Sequence, residues 1–394
     1  MVTSAGAGVE PIETFPTHPG LPVPKAADPT LLEALGTMLW SRSVLYMVLA
    51  VLAMSLAALL PLGRIVRWGP VARGSQRAAP ALALLALGTL ALLAVVAMVY
   101  VPGLGREAKG AHRWVAPPIP GLGGFSFQPS ELAKWGLVVV LAIYGAMQAR
   151  HMRQFFRGLI PGLIAIALVA GLVAKEDLGT GVLIAAAACV VLLAAGARFW
   201  PFPLFVPPAA AAFLALVLVS PYRLTRIETF LDPYADPRGA GFHMIQSMAA
   251  VAGGEGWGRG LGDGLQKFGY LPEDTTDFLF AIICEELGIA GAATVIALYV
   301  ALIWACLAIV RKQDALVLKL IGVGVLTTVG LQALINLAVV TGLGPTKGIA
   351  LPLVSSGGTG WILTAFCLGL LVAMDRDAER QRAVLAPRAA GRRP

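Results

Sequence analysis

The stretch DFLFAIICEELGIAGAATVIALYVALIWACLAIVR, residues 277–311, decides the fold class. After Glu286 it runs for 24 residues without a charge before Arg311 closes it. A helix needs about 17 to 25 predominantly apolar residues to cross a bilayer, so this segment reads as a membrane span with acids at its mouth. Working outward, comparable runs recur at 38–63, 78–101, 131–149, 158–174, 178–196, 200–220, 318–342 and 349–374, which makes nine with 277–310. Composition agrees: of 394 residues 58% are hydrophobic and 13% charged, with a mean hydropathy of +0.79. A soluble globular chain carries roughly a quarter charged residues. An ordinary soluble enzyme is excluded, and the expected fold is an all-α polytopic membrane protein.

Charge orients the spans. The connections 64–77, 150–157, 197–199 and 311–317, Lys319 just beyond, and the tail 375–394 together hold 17 basic residues against four acids. Lys and Arg accumulate in cytoplasmic loops, so this set is expected inside. The amino terminus and the segments 102–130, 175–177, 221–276 and 343–348 are then expected outside. The net charge of +8 therefore records topology and makes no case for nucleic acid, despite a pI near 9.5. The chain divides into a proline-rich segment 1–37, about six spans over 38–220, a long extracytoplasmic loop 221–276, about three spans over 277–374, and a basic cytoplasmic tail 375–394. Segment 1–37 lacks the basic start and apolar core of a signal peptide. Cys189, Cys284, Cys306 and Cys367 all lie in apolar runs, without the spacing of a disulfide framework or a zinc site.

Chemistry falls to the polar residues at the outward mouths, because ionisable groups at membrane depth are costly enough to mark function. Glu131 and Lys134 share a helix face and can pair, as a structural ion pair also would. Asp177 heads a span, where a helix dipole favours an acid in any case. Glycine occupies every second position from Gly254 to Gly264, which reads either as a tightly turning segment or as close approach of backbone to a ligand. The loop residues Arg223, Arg226, Arg238, Arg259 and Lys267 suit an anionic headgroup or a solvated face. Glu273, Asp274 and Asp277 stand at the mouth of the deciding span, with Glu285 and Glu286 deeper. On one continuous helix Asp277 and Glu285 are about 80° and about 12 Å apart, so some of these carboxylates must be structural partners. Finally, GPTKGIALPLVSSGGTG (344–360), which carries Lys347, breaks a helix at membrane depth. Such a break is tolerated only against protein or a watery cavity, and a cavity open to the outer side is the economical reading.

The segments GAHRW (110–114), FQPSELAK (127–134), EDLGTG (176–181), PYRLTRIETFLDPYADPRGAGFHMIQS (221–247), GLGDGLQKFGYLPEDTTDF (260–278), FAIICEELG (280–288) and GPTKGIALPLVSSGGTG, in this order, resemble the SEDS proteins (shape, elongation, division and sporulation). These are peptidoglycan polymerases of the FtsW, RodA and SpoVE type. QKFGYLPE and DPYADP look closest to the FtsW branch. The resemblance implies a ten-span helical bundle with both termini inside, so MVTSAGAG (1–8) is expected to be the outer end of a truncated first span. It implies a glycosyltransferase that polymerises lipid II, the undecaprenyl-pyrophosphate-linked disaccharide pentapeptide, on the outer face of the bacterial cytoplasmic membrane. Septal synthesis during division, a class B penicillin-binding transpeptidase and other divisome proteins follow as setting and partners.

By motif match Asp277 inherits the role of catalytic base, required because the acceptor hydroxyl must lose a proton as it attacks. Lys134, Arg113 and Lys347 are the candidates for the departing pyrophosphate, Glu131 would hold Lys134, and Asp177 and Glu273 complete the substrate-binding set. A divalent cation (Mg or Mn) is compatible with pyrophosphate chemistry, its ligands unidentified. A RodA-like elongation polymerase, a lipid II flippase and a non-catalytic scaffold for the transpeptidase are the alternatives. A flippase often carries inverted repeats, and no internal repeat is visible. The chain departs from the family pattern where Asp274 and Thr275 replace alanine and histidine, where Lys175 and Glu176 replace Gln-Pro, and where Ser356 replaces a tyrosine.

Overall fold

The computed structural model describes residues 41–68, 78–108, 111–116, 126–273, 275–356 and 358–390. The proline-rich segment 1–37 and the span expected to precede it lie outside the described residues. In chain order the elements are α1 (Arg42–Leu59), α2 (Leu62–Trp68), α3 (Ala78–Ala97), β1 (Gly105–Ala108), β2 (Ala111–Val115), α4 (Pro129–Met147) and α5 (Ile160–Glu176). Then come α6 (Leu178–Ala194), α7 (Phe202–Leu218), α8 (Pro221–Leu231), α9 (Phe242–Gly253), α10 (Leu279–Arg311), α11 (Leu316–Val340) and α12 (Thr359–Ala390).

Each of the nine apolar runs holds one helix. Among the described residues six helices are long and apolar enough to cross a membrane, or seven with α7 and α8 taken as one span bent by 102°. The other two, Ser43–Leu59 and Leu178–Ala194, are apolar and shorter. The protein is a multi-pass membrane protein. Three departures from the sequence reading bear on function. The run 349–374 is helical only from Thr359, the described residues before it being non-helical. The run 277–310 is broken at Gly288, which adopts φ 61° and ψ −155°, and Asp277 lies ahead of the helix, so the continuous-helix spacing to Glu285 does not apply. The long loop carries two helices, with Pro221 at the first turn of α8 supplying the bend after Ser220.

Helices in lipid gain little from hydrophobic burial and associate through close packing at small residues. Gly324 of α11 shows this: a Cβ there would sit 2.2 Å from a Val138 methyl of α4. Gly369 of α12 lies against the backbone of α1, where a Cβ would be 2.3 Å from the Met54 carbonyl oxygen. The apolar side chains left outside, among them Leu45, Leu87, Leu214 and Trp304, are exposed, as the lipid face of a bundle requires. At one end Lys312 pairs with Asp375 at 2.9 Å, the Gly63 amide donates to Asp377 at 2.7 Å and Arg376 donates to the Leu60 carbonyl. Charge-rich connections that the sequence sorted together thus gather at one end. The remaining connections meet at the other.

Candidate active site

That second end encloses a cavity of about 780 Å³. The non-helical segment 346–356 lines it together with several helix amino termini: Gln128 before α4, Asp177 before α6, Tyr222 in the first turn of α8, His243 in that of α9, Phe278 before α10, and Gly360 and Trp361 at the start of α12. The first amides of a helix lack intrahelical acceptors and carry the positive end of its dipole. Their convergence makes a site for negative charge.

Asp277 is presented by a tight turn. Thr276 and Phe278 donate their amides to the Glu273 carbonyl at 3.1 and 3.2 Å, and the Thr276 hydroxyl donates to the Glu273 carboxylate at 2.7 Å. Glu273 itself sits at φ +59°, a left-handed conformation that a non-glycine residue holds at a cost of about 1–3 kcal/mol. Three outside contacts fix the turn. The Ser356 amide donates to Thr275 O at 3.0 Å, Asn336 donates to Asp277 O at 2.8 Å, and the Phe278 ring stacks on His243 with centroids 6.2 Å apart. The carboxylate lies over Gly348, where a Cβ would be 2.8 Å from Asp277 Oδ2.

Three cations share the cavity wall with this carboxylate. Arg226 donates to Thr346 O at 2.9 Å and to the Tyr222 hydroxyl, and lies over the Tyr222 ring. Lys347 has its ammonium pKa pushed down by burial, with Arg226 and Arg223 adding to the effect and Asp177 opposing it. Arg113 donates to Glu176 O at 3.2 and 3.0 Å and stands 3.9 Å from Asp177. A second cavity of about 600 Å³ adjoins the first, sharing Arg113, Asp177, Arg226 and Lys347 and backed by Phe213, Leu216 and Val217 of α7.

The remaining sequence candidates are placed as follows. Asp177 caps α6, accepting from the Thr180 amide and hydroxyl at 3.1 and 3.0 Å, and lines the cavity as well. Glu131 lines it and pairs with Lys134 at 2.8 Å. Lys134 does not reach the wall: its side chain is 1% exposed and its ammonium is taken by Glu131 and by Gln332 Oε1 at 2.8 Å. Glu285 and Glu286 are structural partners, although the continuous-helix spacing behind that expectation does not hold. Glu285 accepts the Leu265 and Gln266 amides at 2.9 and 3.1 Å, and Glu286 pairs with Lys267 at 2.8 Å.

The glycine run packs against that same break in α10. A Cβ on Gly258, at φ +78°, would lie 2.1 Å from the Glu286 carbonyl oxygen. The close approach is to the protein's own backbone, and Arg259 is committed to Glu285 at 3.7 Å while Arg238 lies exposed.

Two of the family departures touch each other, since Ser356 donates to Thr275 through main-chain atoms that the substitutions leave in place. The third supplies an anchor: Glu176 accepts from the Tyr100 hydroxyl at 2.8 Å and the His112 amide at 3.0 Å, tying the β1–β2 hairpin to α5. The sequence reading missed Tyr222, Thr225 and Thr229, which line the cavity with Arg226. Their i, i+3, i+4, i+7 spacing within PYRLTRIET is the signal of one helical face. It also passed over Gln332 and Asn336, two amides one turn apart inside an otherwise apolar run.

Residues 28–380 match the FtsW/RodA/SpoVE family of cell cycle proteins. The chain is 37% identical over 283 residues to stage V sporulation protein E of Bacillus subtilis, covering 72% of this chain and 76% of that one. It is 39% identical over 323 residues to a "probable peptidoglycan glycosyltransferase FtsW" of Halorhodospira halophila, covering 81% and 78%. Among solved structures, one described as "Structural coordination of polymerization and crosslinking by a peptidoglycan synthase complex" aligns with a TM-score of 0.65 and 29% identity, covering 88% and 91%. The rod shape determining protein RodA of Thermus thermophilus shares the fold at a TM-score of 0.54 and 24% identity, covering 86% and 87%.

Proposed function

Because the chain belongs to the FtsW/RodA/SpoVE cell cycle protein family, we propose that it is a peptidoglycan glycosyltransferase that polymerises lipid II in the cavity around Asp277. The observation that carries this reading is the meeting of Asp277 and three further carboxylates (Glu131, Asp177 and Glu273), three cations and several helix amino termini in a single cavity. In the proposed reaction Asp277 takes the proton of the acceptor sugar hydroxyl. The hydroxyl oxygen forms a bond to the donor's anomeric carbon as the bond from that carbon to the pyrophosphate oxygen breaks. The electron pair leaves with the pyrophosphate, whose charge is met by Arg226, Lys347, Arg113 and the helix amino termini in a site partly shielded from water. The adjoining cavity, basic at its rim and apolar along α7, offers the prenyl tail a path away from the headgroup.

Among the described residues no three His, Cys, Asp or Glu side chains come together to hold a metal. Mg²⁺ is commonly held by one or two carboxylates plus substrate phosphates, and Glu273 on the wall suits that arrangement. Such an ion would add charge neutralisation at the leaving group. The basic end is cytoplasmic and the cavity extracytoplasmic in this reading, the membrane is the bacterial cytoplasmic membrane, and the FtsW relatives favour work at the septum beside a class B transpeptidase. Protein purified and reconstituted with lipid II is expected to yield glycan strands. Headgroup translocation across proteoliposomes without strands would contradict the proposal and mark a flippase.

A further inference from the structure

Two amides on α11 join the parts of this site that sequence places far apart. Asn336 Nδ2 donates to Asp277 O and to Ile349 O, each at 2.8 Å. One turn earlier Gln332 Nε2 donates to Ala350 O at 2.9 Å while its Oε1 accepts from Lys134 Nζ at 2.8 Å. Lys134 in turn holds Glu131. Hydrogen bonds and the one-turn step along α11 therefore connect the Glu131–Lys134 pair, through both amides, to the peptide that follows Asp277. The same two side chains pin 349–350, the residues immediately after Lys347 and Gly348.

We propose that Asn336, one turn from the Gln332 that the buried Lys134 orients, is a positioning residue that sets Asp277 against the Lys347–Gly348 segment. This rests on the reading of Asp277 as the base and adds how it is held. The chemistry of the two amides is specific. Lys134 has only donors, so it fixes the Gln332 oxygen toward itself and aims the Gln332 nitrogen at the 350 carbonyl. Asn336 is 2% exposed and spends its nitrogen on two carbonyls at once, whereas its Oδ1 finds no hydrogen-bond partner. Leucine here would remove that unpaired oxygen but leave two carbonyls without their donor. What leucine lacks is the fork that bridges the two carbonyls. The arrangement also explains the buried cation: Lys134, withheld from the cavity, acts on the site through Gln332.

The test is steady-state polymerisation of lipid II by the full chain in nanodiscs, with melting temperature followed in parallel. Asn336→Leu, which removes both donors, and Asn336→Asp, which turns the fork into an acceptor facing two carbonyls, are expected to lower kcat by about 10- to 100-fold, as misplacement of a reacting group by about 1 Å does. KM is expected to change by a smaller factor than kcat, since Arg226 and Arg113 keep their own contacts, and Asn336→Leu, which leaves two carbonyls without their donor, is expected to melt below wild type. Gln332→Leu, which loses one rung, is expected to lower kcat by a smaller factor and decides the matter should the Asn336 variants fail to insert. With each variant assayed well below its own melting temperature, wild-type kcat in Asn336→Leu or Gln332→Leu, or a KM that rises by as large a factor as kcat falls, overturns the proposal. A wild-type protein that makes no strands overturns the reading of the site instead.

Discussion

Gly348 is the position where a missing side chain matters most directly. With Asp277 Oδ2 at 2.8 Å from where its Cβ would stand, even alanine must displace the carboxylate. Gly348→Ala is expected to lower kcat by about 10-fold or more with little loss of folded protein, and rate measurements on the purified variant check it. Lys347 next to it supplies a pH signature. Burial holds its pKa below the ordinary lysine value, so its charge is lost as pH rises through that lowered value, earlier than an ordinary lysine's. KM for lipid II should rise over the alkaline range, and Lys347→Arg, charged throughout, should carry low KM to higher pH. For stability the sign is opposite. The unfolded chain holds this proton over a window where the fold does not, so raising pH through the window favours the fold. At this scale the motifs made Asp277, Glu131, Asp177, Arg113, Lys347 and Glu273 legible, and all six line the cavity. The burial of Lys134 was not legible, because i, i+3 spacing predicts its pairing with Glu131 and says nothing of the Gln332 that encloses it from another helix.

Among the elements, α10 departs furthest from what its sequence suggests. Hydrophobic periodicity runs through FAIICEELGIAG without interruption, so the span was plain and its break at Gly288 was not. The break is imposed by the loop that folds onto it. Lys267 and Glu286 are 6% and 4% exposed at the pair, and removing one partner from a buried pair costs about 3–5 kcal/mol. Lys267→Met is therefore expected to lower the melting temperature sharply, and Lys267→Met with Glu286→Leu to recover most of the loss. A single variant as stable as wild type would show that the pair does not hold the loop. Gly258→Ala should be among the more damaging glycine substitutions, costing more than about 2 kcal/mol, because it combines a left-handed φ with a Cβ 2.1 Å from a backbone oxygen. The alternating glycines were visible in the sequence. Their packing partner, 30 residues on, was not.

For the whole molecule, charge alone sorted the connections into two sets, and the fold places them at two ends: Lys312, Asp375, Arg376 and Asp377 at one, the cavity at the other. Nine apolar runs became nine helices because a bilayer leaves the backbone few other ways to satisfy its hydrogen bonds. The two helices in the long loop were less legible, being short and amphipathic with no bilayer to demand them. Arg153 and Arg238 are both exposed and lie in connections of opposite expected sidedness. In a chain whose native cysteines are replaced, Arg153→Cys and Arg238→Cys should be labelled by an impermeant thiol reagent from opposite faces of the membrane, Arg238→Cys from outside; labelling of both from one face would contradict the topology. The central claim, that the cavity at Asp277 makes glycan, is tested most directly by comparing wild type and Asp277→Ala, reconstituted at equal amounts, for strand formation from lipid II. Strands from wild type alone are the result this account predicts. Strands from Asp277→Ala at the wild-type rate would contradict it.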